Sequence, residues 1–365
     1  MCKLSFIDKM KKEIGSIFPL CNETICEAEA TKGNFNGGRL YYSLCREALY
    51  DIARNLYTGE NNIVLIPAYT CQTVITPFEE AGWKCVYYSI KRNLTINVNS
   101  LMDLVQCSHP TAIVVHPFYG MELSTQEEDA VRQIGGKGIK VILDLTQCIF
   151  STKRYPFVSY TVGSYRKWFP IPDGGFLECH TSEVAIVQPK VENTEFTERN
   201  LAAMYLRGQY FANGEQRTKD ISIRLNKAAN QLAAGNITPH RMSYIAYNLL
   251  QKQDFSENQN HRLCNYTFLF DNILENSKIQ KVCQNLTDVT TAPLYFTIYV
   301  QDRPTLQRAL AKEAIYAPVI WPVEDGKVLI DDDIRFIYDH LLAIPCDQRY
   351  DIEDMQRIVG IINNY

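Results

Sequence analysis

Apolar positions along the chain follow two rhythms. Leu40, Leu44, Ala48, Ile52 and Leu56 recur every fourth residue, which predicts a helix over Leu40–Leu56. Ile63–Ile66 is a short apolar run closed by Pro67, and Thr111–His116 is another that ends at Pro117. Such continuous runs read as strands buried on both faces. Between them, Thr70–Ala81 reads as a helix ended by Gly82, Lys84–Ile90 as a strand and Asn99–Gln106 as a helix. Thr125–Ile134 then reads as a helix stopped by Gly135-Gly136, and Lys140–Asp144 as a further strand. This alternation predicts a mostly parallel sheet with helices on both faces, an α/β class. Beyond Cys179 the rhythm changes: helices over Glu195–Leu232 and from Pro239 through Leu250, a strand over Leu294–Val300, then helices over Arg303–Ala311 and Ile352–Ile362. The change predicts a large domain over residues 1–235 and a smaller α+β domain over 236–365.

Composition narrows the function classes. Among 365 residues, 46% are hydrophobic and 21% charged, a balance that supports a packed core and excludes disorder. The formal net charge of −4 gives no global pull toward nucleic acid or an anionic membrane. No apolar run approaches the roughly 20 residues of a spanning helix. The charged opening Met-Cys-Lys-Leu-Ser-Phe-Ile-Asp-Lys lacks the apolar stretch of a secretory signal, so a soluble, cytoplasmic protein is expected. The 12 cysteines are scattered with no CxxC pair, which predicts buried thiols rather than a metal site or a disulfide framework. Without a signal, the Asn-x-Thr sequons, Asn285 among them, are only composition.

Parallel sheets bind ligands beyond the carboxyl ends of their strands, so chemistry is sought after Pro67, His116 and Asp144. Asp144 ends an otherwise apolar strand, with Gln147 three residues on. A carboxylate there suits the protonated ring nitrogen of pyridoxal phosphate (PLP); it equally suits capping the next turn. The segment Gly163-Ser164-Tyr165-Arg166-Lys167-Trp168-Phe169-Pro170 sets a lysine among aromatic and proline residues. Partial burial there would lower its amine pKa and make it a Schiff-base nucleophile; the alternative is a solvated loop lysine. Ser164 is placed to donate to a phosphate, and the Gly174-Gly175 pair allows a sharp turn.

Four blocks, taken in order, resemble the DegT/StrS family of PLP-dependent sugar aminotransferases of fold type I. They are Leu44-Cys45-Arg46-Glu47-Ala48-Leu49, Ile66-Pro67-Ala68-Tyr69-Thr70-Cys71, Asp144-Leu145-Thr146-Gln147, and Lys167 through Pro172-Asp173-Gly174-Gly175. Arg241-Met242-Ser243 resembles a fifth. The resemblance implies a three-layer α/β/α PLP-transferase-like domain, with Lys167 as Schiff-base lysine and Asp144 on the pyridine nitrogen. It places Gln147 near the ring's substituents, and it gives the phosphate to Ser164 and to the backbone N–H groups of Arg46 and Glu47. It also implies a homodimer taking an amino donor, glutamate, and a nucleotide-linked keto-sugar acceptor. Cys71 stands where the family sets an aromatic on the cofactor ring, leaving Tyr69, Phe118 or Tyr119 to supply one. Pro239 stands where a partner's Asn is usual, leaving His240 or Arg241 as substitutes. His116, Tyr119, Arg166, Arg241 and Trp321 are the candidates for touching substrate, and no residue is expected to bind metal. The competing readings are another PLP reaction on this scaffold, dehydration or sulfur transfer, and a non-catalytic PLP-fold binding protein.

Overall fold

The computed structural model describes residues 12–29, 35, 38–59, 62–181, 186–282, 291–322 and 331–365. Cys2, Cys283 and the Asn285 sequon lie outside the described residues. After helix α1 (Asn22–Glu29), seven strands build the main sheet: β1 (Arg39–Tyr42), β2 (Ile63–Pro67), β3 (Lys84–Tyr88), β4 (Ala112–Val115), β5 (Lys140–Asp144), β6 (Tyr160–Ser164) and β7 (Gly175–Cys179). Their spatial order is β1-β7-β6-β5-β4-β2-β3. Strands β3 through β6 in that row run parallel, whereas β7 and β1 join antiparallel at one edge.

The sheet's two faces explain its sequence pattern. In β4, Ala112 and Val114 pack into one apolar cluster and Ile113 and Val115 into another. The first cluster includes Ile52 of α2 (Cys45–Leu56) and Phe78 of α3 (Gln72–Glu80). The second includes Leu101 of α4 (Val98–Ser108) and Val131 of α5 (Thr125–Gly136). A strand buried on both sides has no solvent face to supply polar residues, so it reads as a continuous apolar run.

Downstream, α6 (Thr194–Asn213) and α7 (Gln216–Ala233) form a helical hairpin, its turn made by Gly214 at φ 73°. Then come α8 (Tyr244–Gln251) and α9 (Phe255–Asn272). A second, antiparallel sheet follows, in the order β10-β9-β8, from β8 (Ile279–Lys281), β9 (Phe296–Val300) and β10 (Leu341–Ile344). It carries α10 (Arg303–Lys312), α11 (Asp332–His340) and α12 (Ile352–Asn363). Ile298, Leu306, Leu342 and Ile358 share its core with Leu269 of α9. The fold shows the predicted α/β class with a smaller C-terminal α+β part, whose sheet is antiparallel.

Several elements differ from expectation. Leu40 belongs to strand β1, not to a helix, because residues 39–42 pair with β7 and α2 starts only at Cys45. Helix α5 runs through Gly135 and Gly136. The stretch from Pro239 to Met242 is extended: Arg241 N donates to Val191 O and Met242 N to Tyr41 O, and Ser243 caps α8. Helix α9 was not foreseen, since polar Arg262 and Asn265 share its buried face with Tyr266 and Leu269.

Candidate active site

The carboxyl ends of β5 and β6, the start of α2 and the end of α7 surround a cavity of about 250 Å³. Asp144, Gln147, Ser164 and Lys167 all line it. The two predicted motifs therefore meet on neighbouring parallel strands.

Asp144 is held on both oxygens. Its Oδ1 accepts from Thr146 N at 2.8 Å, capping the turn after β5, and its Oδ2 lies 3.4 Å from His116 Nδ1. The capping reading holds, and the pinned carboxylate still faces the cavity. His116 Nε2 contacts Thr70 Oγ1 at 2.8 Å. With both nitrogens engaged, His116 offers the cavity its ring carbons, not a free donor. Burial pushes the imidazole pKa down, opposed in part by Asp144.

Gln147 accepts from Tyr119 N through Oε1 at 3.1 Å, while its Nε2 is buried without a partner. A buried donor with no acceptor is costly, so a cavity that exposes one invites an acceptor on the ligand. Ser164 lines the same wall, its hydroxyl making only a 3.4 Å contact to Gly174 O.

The start of α2 forms one end of the cavity. The N–H groups of Cys45 and Arg46 meet no acceptor among the described residues, as at any helix start left for a ligand. Gly175 makes this geometry possible, since a Cβ there would stand 2.5 Å from Cys45 N. The Glu47 N–H, expected to share the phosphate, donates instead to Leu44 O at 3.1 Å, and Glu47 is not part of the cavity wall. Its buried carboxylate accepts from His240 N at 3.1 Å and lies 3.3 Å from His240 Nδ1. The Arg46 guanidinium caps the far end of α7, donating to Ala233 O and Gly235 O.

Lys167 is exposed within the single chain, which corrects the expected partial burial. The short 3-10 turn Tyr165–Lys167 turns Tyr165, Trp168 and Phe169 into the core and leaves Lys167 at the cavity's edge. The fields of Lys167 and Asp144 both reach His116 and Cys45. Burial, then Asp144, holds the Cys45 thiol well above its ordinary pKa, so it stays protonated.

The other candidates divide. Cys71, Arg166 and Trp321 line the cavity. Trp321 packs at 4.8 Å on Tyr69 and at 6.2 Å on His116 between ring centroids. Tyr119 does not line it: its hydroxyl contacts that of Tyr69 at 2.8 Å, and both rings lie in the core behind the wall, as does Phe118. The aromatic groups that do line it are His116 and Trp321. Arg241 stands away from the cavity, paired with Glu192 at 2.6 Å and stacked on Tyr244 at 4.0 Å. Residues given no role from the sequence also line it, among them Thr73, Thr146 and Asn230. Thr146 was legible between Asp144 and Gln147; nothing in the sequence distinguished Asn230 from a solvated helix residue.

No family model matches the sequence, and no curated protein is recovered as a relative. Solved structures do match along nearly the whole chain. Helicobacter pylori PseC, an aminotransferase involved in the biosynthesis of pseudoaminic acid, superposes with a TM-score of 0.68 at 13% identity, covering 97% of this chain and 99% of that one. The aminotransferase TlmJ from Streptoalloteichus hindustanus gives 0.67 at 12%, covering 97% and 98%. A putative sugar aminotransferase from Streptococcus pneumoniae, solved in a PLP form, gives 0.67 at 13%, covering 97% and 98%. At such identities the likeness speaks for architecture: this chain has the fold on which these aminotransferases are built.

Proposed function

We propose that the chain is a PLP-dependent aminotransferase that moves an amino group from glutamate to a nucleotide-linked keto sugar, as a cytoplasmic homodimer divided near residue 235 into a large and a small unit. The observation that carries this reading is the meeting of Lys167 and Asp144 in one cavity, beside a buried Gln147 Nε2 that lacks an acceptor. The likeness to sugar aminotransferase structures supports it.

The residues present fit PLP. Asp144 would hold the ring nitrogen, Gln147 a ring substituent, and the N–H groups of Cys45 and Arg46 with Ser164 the phosphate. Bound there, the cofactor supplies an electron sink for breaking a C–H bond next to nitrogen. The chain supplies the rest. Asp144, fixed by Thr146 and His116, would hold a proton at the ring nitrogen, and the Lys167 amine would hold the cofactor and move the substrate proton. His116 and Trp321 take the place of the missing aromatic at Cys71 as walls of the ring pocket. Arg166 takes an acidic group of the substrate, and Arg241 and His240 are offered to the other subunit.

The test is a half-reaction. Protein mixed with PLP and then with glutamate loses visible absorbance and releases 2-oxoglutarate, and a keto sugar nucleotide restores the absorbance. Stable colour with no 2-oxoglutarate across a panel of amino donors overturns the proposal.

A further inference from the structure

A second cavity, of about 290 Å³, opens on the other side of Arg166 and Lys167, which line both spaces. One wall of it is the α6–α7 hairpin, through Asn200 and Asn226. Three amides run in a row along this hairpin. Asn226 Nδ2 donates to Asn200 Oδ1 at 3.2 Å, and Asn230 Nδ2 donates to Asn226 Oδ1 at 3.3 Å. Asn230 stands at the first cavity and Asn226 at the second, so the row links them. At its buried end, Asn200 Nδ2 has no partner, although Asn200 is only 3% exposed.

The cations of the second cavity are not equal. Arg349 forms a two-pronged pair with Asp347 at 2.7 and 2.8 Å. Arg262 donates to the carbonyls of Pro293 and Leu294. Arg166 makes no side-chain hydrogen bond or ion pair among the described residues, and its Nε is buried and unpartnered. The field of the buried Asp173 reaches this half-buried guanidinium, which lies 5.6 Å over the Phe196 ring, but no carboxylate hydrogen-bonds to it, so a ligand that brings an anion into contact relieves it. Next to it, amides that offer both donors and acceptors match neighbouring hydroxyls, which are themselves both. An apolar ligand would leave Asn200 Nδ2 and Arg166 Nε stranded; a polyol with an acidic group satisfies both.

We propose that the α6–α7 hairpin is the specificity wall of the site, with Asn200, Asn226 and Asn230 reading the hydroxyls of a sugar whose phosphate or carboxylate pairs with Arg166. This rests on the aminotransferase reading only in taking Lys167 as the reacting amine between the two cavities.

The experiment is calorimetric titration of the protein preincubated with PLP, so that the start of α2 is already filled. Glucose 1-phosphate and glucuronate are the probes, with inorganic phosphate and acetate as the matching acids without a ring. The absorbance of the same samples reports cofactor binding, so a failure of the Lys167 assignment shows separately from a failure of the wall. One sugar acid is expected to bind at least tenfold tighter than its ringless counterpart, and which one identifies the acidic group. Asn200→Ala and the exposed Asn230→Ala each weaken that sugar about fivefold, the scale of one lost hydrogen bond, and leave the ringless acid within twofold. Arg166→Gln weakens both. Sugar acids that bind no tighter than ringless acids, or a preference left undiminished by Asn230→Ala with an unchanged melting temperature, overturn the proposal.

Discussion

Asp173 shows how far one side chain's setting reaches. It is completely buried beside the candidate site, accepting from Ser243 N at 3.0 Å, Ser243 Oγ at 2.7 Å and Thr197 Oγ1 at 3.3 Å. Burial nevertheless dominates and raises its pKa from the ordinary 3.8 to about 7. Between those values the folded chain keeps a proton that the unfolded chain releases. Stability from this group is therefore greatest below pH 4, falls as pH rises to 7, and is constant beyond. Urea unfolding of the parent and Asp173→Asn between pH 4 and 8 should show the parent losing stability relative to the variant across that window. Parallel curves would contradict the assignment. Gln147 gives a second expectation at this scale. Gln147→Leu also takes the acceptor from the buried Tyr119 N–H, so folding should lose about 1–3 kcal/mol, while PLP affinity falls tenfold or more in a fluorescence titration of the folded variant.

Elements set where those side chains stand, and the contact of β7 with α2 is the tightest constraint on the site. A Cβ on Gly175 would meet Cys45 N at 2.5 Å and Leu44 C at 2.7 Å. Gly175→Ala must push the start of α2 away, at a cost of about 3 kcal/mol or more in thermal or denaturant unfolding. Gly136, at the end of α5, has open space where its Cβ would go, so Gly136→Ala should be neutral or stabilising by up to about 1 kcal/mol. Arg46 joins α2 to the end of α7, and Arg46→Met should speed amide hydrogen exchange over residues 230–235 while α6 stays protected.

At this scale the sequence was legible wherever burial was simple. Strands β2, β4 and β5 are apolar on both faces and stood out, and Asp144 was conspicuous as the one charge ending such a run. Lys167 was legible by its aromatic neighbours, although it is Trp168 and Phe169 that those neighbours bury. Strand β1 was hidden because Leu40 extends the four-residue spacing of α2, and only pairing with the distant β7 decides it. Helix α9 was hidden because Arg262 and Asn265 occupy core-facing positions and donate to carbonyls of other segments. The asparagine row was invisible for the same reason: its meaning lies in cavities that form only when α6 and α7 fold back toward Lys167.

Over the whole molecule, β1, β7 and the segment around Arg241 meet at one edge of the main sheet, where β7 pairs with β6, the strand that carries Ser164 to the proposed site. Lys167 is exposed in one chain, and Tyr244 and Val191 are exposed beside Arg241. A second subunit on this side would cover them, as the aminotransferase reading requires. Sedimentation equilibrium should then give twice the chain mass of 41.9 kDa, with Arg241→Glu shifting the protein toward monomer. A monomer at micromolar concentration would contradict that assembly.

The most direct measurement is borohydride reduction of the protein incubated with PLP, followed by peptide mass spectrometry. The account predicts visible absorbance before reduction, and afterwards the added mass of one reduced cofactor on the peptide containing Lys167, absent in Lys167→Ala. Cofactor fixed to a different lysine, or Lys167→Ala retaining colour and label, would contradict it.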